Sequence, residues 1–160
     1  MNPNPSRKYA PWLWLLLGLF VVRVVAQPLA LIIDTPLLPR FESWHSGVLP
    51  YPALVLAQLL IIAWFAHTAW RFGKGEVVPS YRRGVFFLAF GSVYFVFMLV
   101  RLLLGLTIMR DSRWFTSYLP TAFHLVLASW LLTYGHFHLR YGVRSGTALA
   151  AGGRRPAAGG

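Results

Sequence analysis

The sequence predicts an all-α integral membrane protein, a four-helix transmembrane bundle built as two repeated helical hairpins. Three observations predict it. The 160 residues are 57% hydrophobic and only 12% charged, with a mean hydropathy of +0.57, too apolar for a soluble domain of this size. Four apolar runs of about 20 residues, the length that crosses a hydrocarbon core of ~30 Å, use nearly the whole chain. The stretches between them are short and rich in Pro, Gly and basic residues, so a single four-span domain over 1–144 leaves these 160 residues no room for a soluble catalytic unit.

Residues 1–10 are polar, with Arg7 and Lys8, and span one is expected over about 12–33, opened by Pro11 and Trp12 and carrying Arg23, Gln27 and Pro28. Pro28 lacks an N–H and is expected to kink or end the regular helix. A cleaved signal peptide is the rival reading of this start, because the basic lead, the run 12–22 and Val24-x-Ala26 resemble its three regions. Apolar residues resume at 29–33, past the supposed cut, which favours a span. The loop 34–50 holds Pro36, Pro39, Pro50 and the aromatic-polar cluster Phe41-Glu42-Ser43-Trp44-His45. Span two follows over about 51–70, with Gln58 as its interior polar residue, and a tight basic turn occupies 71–83. Span three covers about 84–108 and contains Arg101. After a short loop with Arg110, Asp111, Arg113 and Trp114, span four is expected over about 120–139, starting at Pro120, where a missing N–H costs nothing. The Gly/Ala/Arg-rich segment 145–160 cannot build a core and is expected to be a disordered tail.

Charge orients the bundle. Ten Lys and Arg residues lie in the N-terminal stretch, the 71–83 turn and the C-terminal stretch, against three in the other two loops, so both termini are expected in the cytoplasm, in a membrane of the bacterial inner-membrane type. The formal charge of +11 is therefore read as attraction to anionic membrane lipids and not to nucleic acid. Trp12, Trp14, Trp70 and Tyr141 would form an inner aromatic belt, and Trp44, Tyr51, Trp114 and Tyr118 an outer one. The absence of cysteine excludes disulfides, thiolate metal sites and thiol catalysis.

The repeat is carried by two parallels. Phe20-Val21-Val22-Arg23-Val24 matches Met98-Leu99-Val100-Arg101-Leu102, and Leu49-Pro50 before span two matches Leu119-Pro120 before span four. Duplicated hairpins that each start on the cytoplasmic side would be related by an axis along the membrane normal.

Two arginines inside apolar spans need an explanation, since a cation at membrane depth costs roughly 2.5–3.5 kcal/mol on insertion scales. Periodicity turns both inward. Gly84, Gly91, Met98 and Gly105 recur every seven residues, with Tyr94 and Arg101 three places after Gly91 and Met98; small residues at this spacing let helices approach closely. Arg23, Gln27, Ala30 and Asp34 form one stripe on span one, and His124, Ala128, Leu131, Gly135 and His138 one on span four. At ~1.5 Å of rise per residue, Arg23 lies ~15 Å below the outer ends, Gln58 and Arg101 ~10 Å and His124 ~6 Å, so all four can meet.

The ligand-binding expectation is a polar pocket lined by Arg23, Gln27, Gln58, Tyr94, Arg101 and His124 and capped by Trp44 and His45, which would suit an anionic or carbonyl-bearing guest such as a lipid phosphate, a fatty carboxylate or a quinone. The alternative is a structural network in which Arg101 reaches Asp111 or a carbonyl and Arg23 pairs with Asp34. His67 and His136, each sixteen residues past Tyr51 or Pro120, are the candidate ligands for haem b. No HExxH, GxSxG or phosphate loop is present; in an enzyme, His124 would be the general acid or base and Arg101 the charge stabiliser. The leading functional expectation is a non-enzymatic subunit or accessory factor of a larger membrane complex, with a protein partner in the membrane or a second copy of the chain. A lipid- or quinone-binding or transfer protein comes next, and an intramembrane enzyme or haem carrier after it.

Overall fold

The computed structural model describes residues 5–32, 51–108 and 118–142. A short 3-10 helix, Pro5–Lys8, leads into α1 (Ala10–Ile32), and α2 (Tyr51–Lys74), α3 (Tyr81–Thr107) and α4 (Tyr118–Tyr141) follow. The chain is all-α and the four helices pack as a bundle. Helices α1, α2 and α3 are each long and apolar enough to cross a membrane.

The helix positions follow the hydropathy pattern, with ends displaced by a few residues. α2 extends to Lys74 and α3 starts at Tyr81, which shortens the expected basic turn. α4 begins at Tyr118, so Pro120 is its third residue, still within the first turn whose N–H groups have no helical acceptor. Pro28 does not end α1, which continues to Ile32. A proline forfeits one backbone bond, and apolar spanning helices tolerate it where neighbouring helices, hydroxyl side chains or local helix adjustments satisfy the freed carbonyl.

One end of the bundle gathers the start of α1, the end of α2, the start of α3 and the end of α4. Ser6 Oγ donates to the Phe72 carbonyl at 3.4 Å and Arg7 Nη2 to the Lys74 carbonyl at 3.3 Å, tying the 3-10 helix to α2. α2 stops at Gly75, whose φ of 79° is the left-handed conformation that glycine adopts without strain. Its N–H donates to the Phe72 carbonyl and that of Glu76 to the Arg71 carbonyl, both at 3.1 Å, the paired bonds of a Schellman cap. α3 starts without a side-chain cap from Ser80; the Ser80 N–H donates instead to His138 Nδ1 at 3.1 Å. His138 is fully buried and thereby fastens the start of α3 to the end of α4. Replacing His138 by alanine is expected to cost about 2 kcal/mol, from an orphaned donor and a cavity together. Reversible unfolding in mixed detergent micelles measures this, and an unchanged midpoint would deny the role.

α3 and α4 are the most extensively packed pair. Their backbones touch through glycine: a Cβ on Gly84 would lie 2.6 Å from the Leu139 Cα, and one on Gly135 2.6 Å from the Leu88 nitrogen. Gly84 and Gly91 of the seven-residue stripe of α3 thus lie against α4, and Met98 and Gly105 are buried as well. α1 packs on both α2 and α4. Between them lies an aromatic core that the sequence reading assigned no role. Phe65 of α2 and Trp130 of α4 stack at 3.7 Å and 7°, Tyr134 stacks on Trp130 at 5.6 Å, and Phe72 and Phe137 meet edge-to-face at 4.7 Å. This central place explains the lower apolarity of α4. Thr121 and His138 are buried, while Ser129 and Thr133 return their hydroxyls to the Leu125 and Ser129 carbonyls.

Candidate functional site

The polar residues of the apolar helices converge toward the end of the bundle away from Pro5–Lys8. On α1, Arg23 and Gln27 lie one turn apart, a spacing that stacks side chains on one face, and both are buried, 7% and 1% exposed. Gln58 of α2 and Arg101 of α3 are 5% and 6% exposed. Burial of Arg23, Gln27 and Arg101 is the inward orientation that the periodicity predicts.

Contacts join the helices. The Gln58 Nε2 amide donates to Gln27 Oε1 at 3.5 Å, a long bond that links α2 to α1. Tyr94 Oη and His124 Nδ1 lie 2.6 Å apart, linking α3 to α4 by a short hydrogen bond whose donor depends on the imidazole tautomer. The Arg23 guanidinium lies 5.8 Å over the ring of Phe123, within cation–π range, a contact the sequence reading did not foresee. The amide Nε2 of Gln27 is buried and has no hydrogen-bond partner among the described residues.

The arrangement is rich in donors. Two guanidiniums, two carboxamides, a phenol and an imidazole lie toward the same end of the bundle, and the one carboxylate among the described residues, Glu76, lies just past the opposite end of α2. Such a set can hold an acceptor-bearing group, with guanidinium forks suited to phosphate or carboxylate oxygens. Trp44 and His45, the expected cap, lie outside the described residues, as do Asp34 and Asp111.

The histidines named for haem lie elsewhere. His67 and His136 are both exposed; His67 lines a groove with Trp14 and Trp70, and the ring of His136 meets that of Tyr9 at 6.1 Å. Among the described residues no group of three or more His, Cys, Asp or Glu side chains is placed to hold a metal ion.

Comparison with protein-family models, curated proteins and solved structures finds no match for this chain.

Proposed function

We propose that this chain is a four-span membrane protein, both termini in the cytoplasm, that binds a membrane-soluble molecule bearing an anionic or carbonyl group in the cluster of Arg23, Gln27, Gln58, Tyr94, Arg101 and His124. One observation carries the reading: at the end of the bundle that holds the buried Arg23 and Arg101, the pairs Gln27–Gln58 and Tyr94–His124 link α1 to α2 and α3 to α4, and one buried amide donor, Gln27 Nε2, is unengaged. A lipid phosphate, a fatty carboxylate and a quinone each present the oxygens that such donors select. α4 serves as the fourth span because its 24 residues reach ~36 Å, Thr121 and His138 are buried, and Ser129 and Thr133 bond to its own backbone.

The test is the small-molecule content of protein extracted in mild detergent. Arg101→Gln keeps a hydrogen-bonding side chain of reduced charge and is expected to fold while losing the co-purifying molecule at least about 10-fold, the scale of one charged hydrogen bond. Equal content in the folded variant would sink the proposal.

A second reading, a subunit or accessory factor of a larger membrane complex, draws on the other side of α3. Phe86, Phe90, Val93, Phe97 and Val100 form an exposed apolar stripe at helical spacing, which suits either lipid or a neighbouring transmembrane helix. Gly84 and Gly91, which would also receive a partner, are taken by α4 of the same chain.

A further inference from the structure

The end of the bundle that carries the 3-10 helix holds a second candidate site, separate from the polar cluster. A groove of about 590 Å³ runs between α1 and α2, lined by Trp14, His67, Trp70, Arg71, Lys74 and Glu76. His67, Trp70, Arg71 and Lys74 follow one another at i, i+3, i+4 and i+7, so they share one face of α2, and Trp14 of α1 closes the opposite wall. Both indoles are open to the outside, Trp14 by 44% and Trp70 by 57%.

Its cations are ordered by the groove itself. The Lys74 ammonium lies 5.2 Å over the Trp70 ring, and Arg71 Nη2 donates to the Glu76 carbonyl at 3.3 Å, just past the Schellman cap that ends α2. Indoles beside a guanidinium and an ammonium on one face of α2 suit a membrane surface, where acyl chains meet a phosphate headgroup. Glu76 is the one carboxylate on the rim, against two permanent cations.

We propose that this groove binds one anionic phospholipid, with the phosphate between Arg71 and Lys74 and the glycerol and upper acyl chain against Trp14 and Trp70. A lipid is favoured over a soluble anion because two exposed indoles line the groove beside its cations, which suits a guest with both an apolar and an anionic part. The inference rests on the four-span reading only in requiring that this end of the bundle meet a lipid surface.

Native mass spectrometry of the full chain from nanodiscs containing equal amounts of phosphatidylglycerol and phosphatidylcholine, with matched acyl chains, tests it. Wild type is expected to retain a single phosphatidylglycerol in preference to phosphatidylcholine. The double variant Arg71→Gln/Lys74→Gln should weaken that preference by about 30-fold, the loss of two interfacial cations. Lys8→Gln/Arg82→Gln removes equal charge from exposed positions outside the groove and should leave the preference unchanged. An equal loss in the control would replace the site by diffuse attraction, and no preference in wild type would overturn it outright. Full displacement by inorganic phosphate would make it a soluble-anion site and overturn the lipid assignment. Failure to enter nanodiscs at all would count against the membrane reading, whereas entry without preference counts against this groove alone.

Discussion

Replacing Gly84 by leucine is expected to drive α3 from α4 and destabilise the bundle by about 3 kcal/mol or more, the upper range for overpacking. The reason lies in what the new side chain meets. At Gly84 the neighbours are main-chain atoms of His138 and Leu139, which cannot rotate aside as a flexible side chain would. The same segment carries the His138 bond to the Ser80 N–H, so a shift of α4 also breaks the fastening at the start of α3. Gly18 and Gly73 provide the control: both are helical, and a Cβ at either meets nothing within 4 Å. Leucine there should be neutral or slightly stabilising, since glycine is a poor helix former. Detergent-induced unfolding, monitored by circular dichroism, separates the cases, and equal tolerance at Gly84 would contradict the close approach of α3 and α4.

Converting both Gln27 and Gln58 to leucine is expected to leave the bundle at least as stable as wild type while abolishing the co-purifying small molecule. The two carboxamides are buried, their mutual bond is long at 3.5 Å, and one amide donor is unengaged. They therefore add little to the stability of the helix pair. Removing both partners exchanges polar groups for apolar ones in an apolar interior, which is neutral or favourable, whereas either single replacement orphans the other amide and costs about 1–3 kcal/mol. A polar pair kept at no gain in stability points to a guest. If the double variant instead unfolds while the single ones do not, the cluster is structural and the ligand reading falls.

The sequence was most legible where periodicity and burial agree. Gly84, Gly91, Met98, Arg101 and Gly105 all face inward as their spacing predicts, and so do Arg23 and Gln27 on α1. Depth counting sets Arg23, Gln58, Arg101 and His124 toward one end of the helices; the two contacts found there, Gln58 to Gln27 and Tyr94 to His124, involve partners it does not name. Of the two outcomes expected at Pro28, a kink or an end, α1 rules out the end by continuing to Ile32. The aromatic core went unread because tryptophan in a membrane chain first suggests an interfacial belt. Trp12, Trp14 and Trp70 are indeed exposed, but Trp130 is fully buried against Phe65, and only the chance to compare helix faces in three dimensions separates the two roles. The i, i+4, i+8 spacing of Trp130, Tyr134 and His138 was a signal that could have found it. The bond from the Ser80 N–H to His138 spans 58 positions and has no local pattern at all.

The central claim, that the buried cluster holds a membrane-soluble guest, is tested most directly by native mass spectrometry of the wild-type chain, extracted gently from its own membrane. The account predicts a chain or homo-oligomer carrying one defined small molecule per copy, retained under conditions that strip bulk lipid and released by Arg101→Gln. A bare chain would contradict it, and added mass from other polypeptides without a small molecule would replace it with the subunit reading.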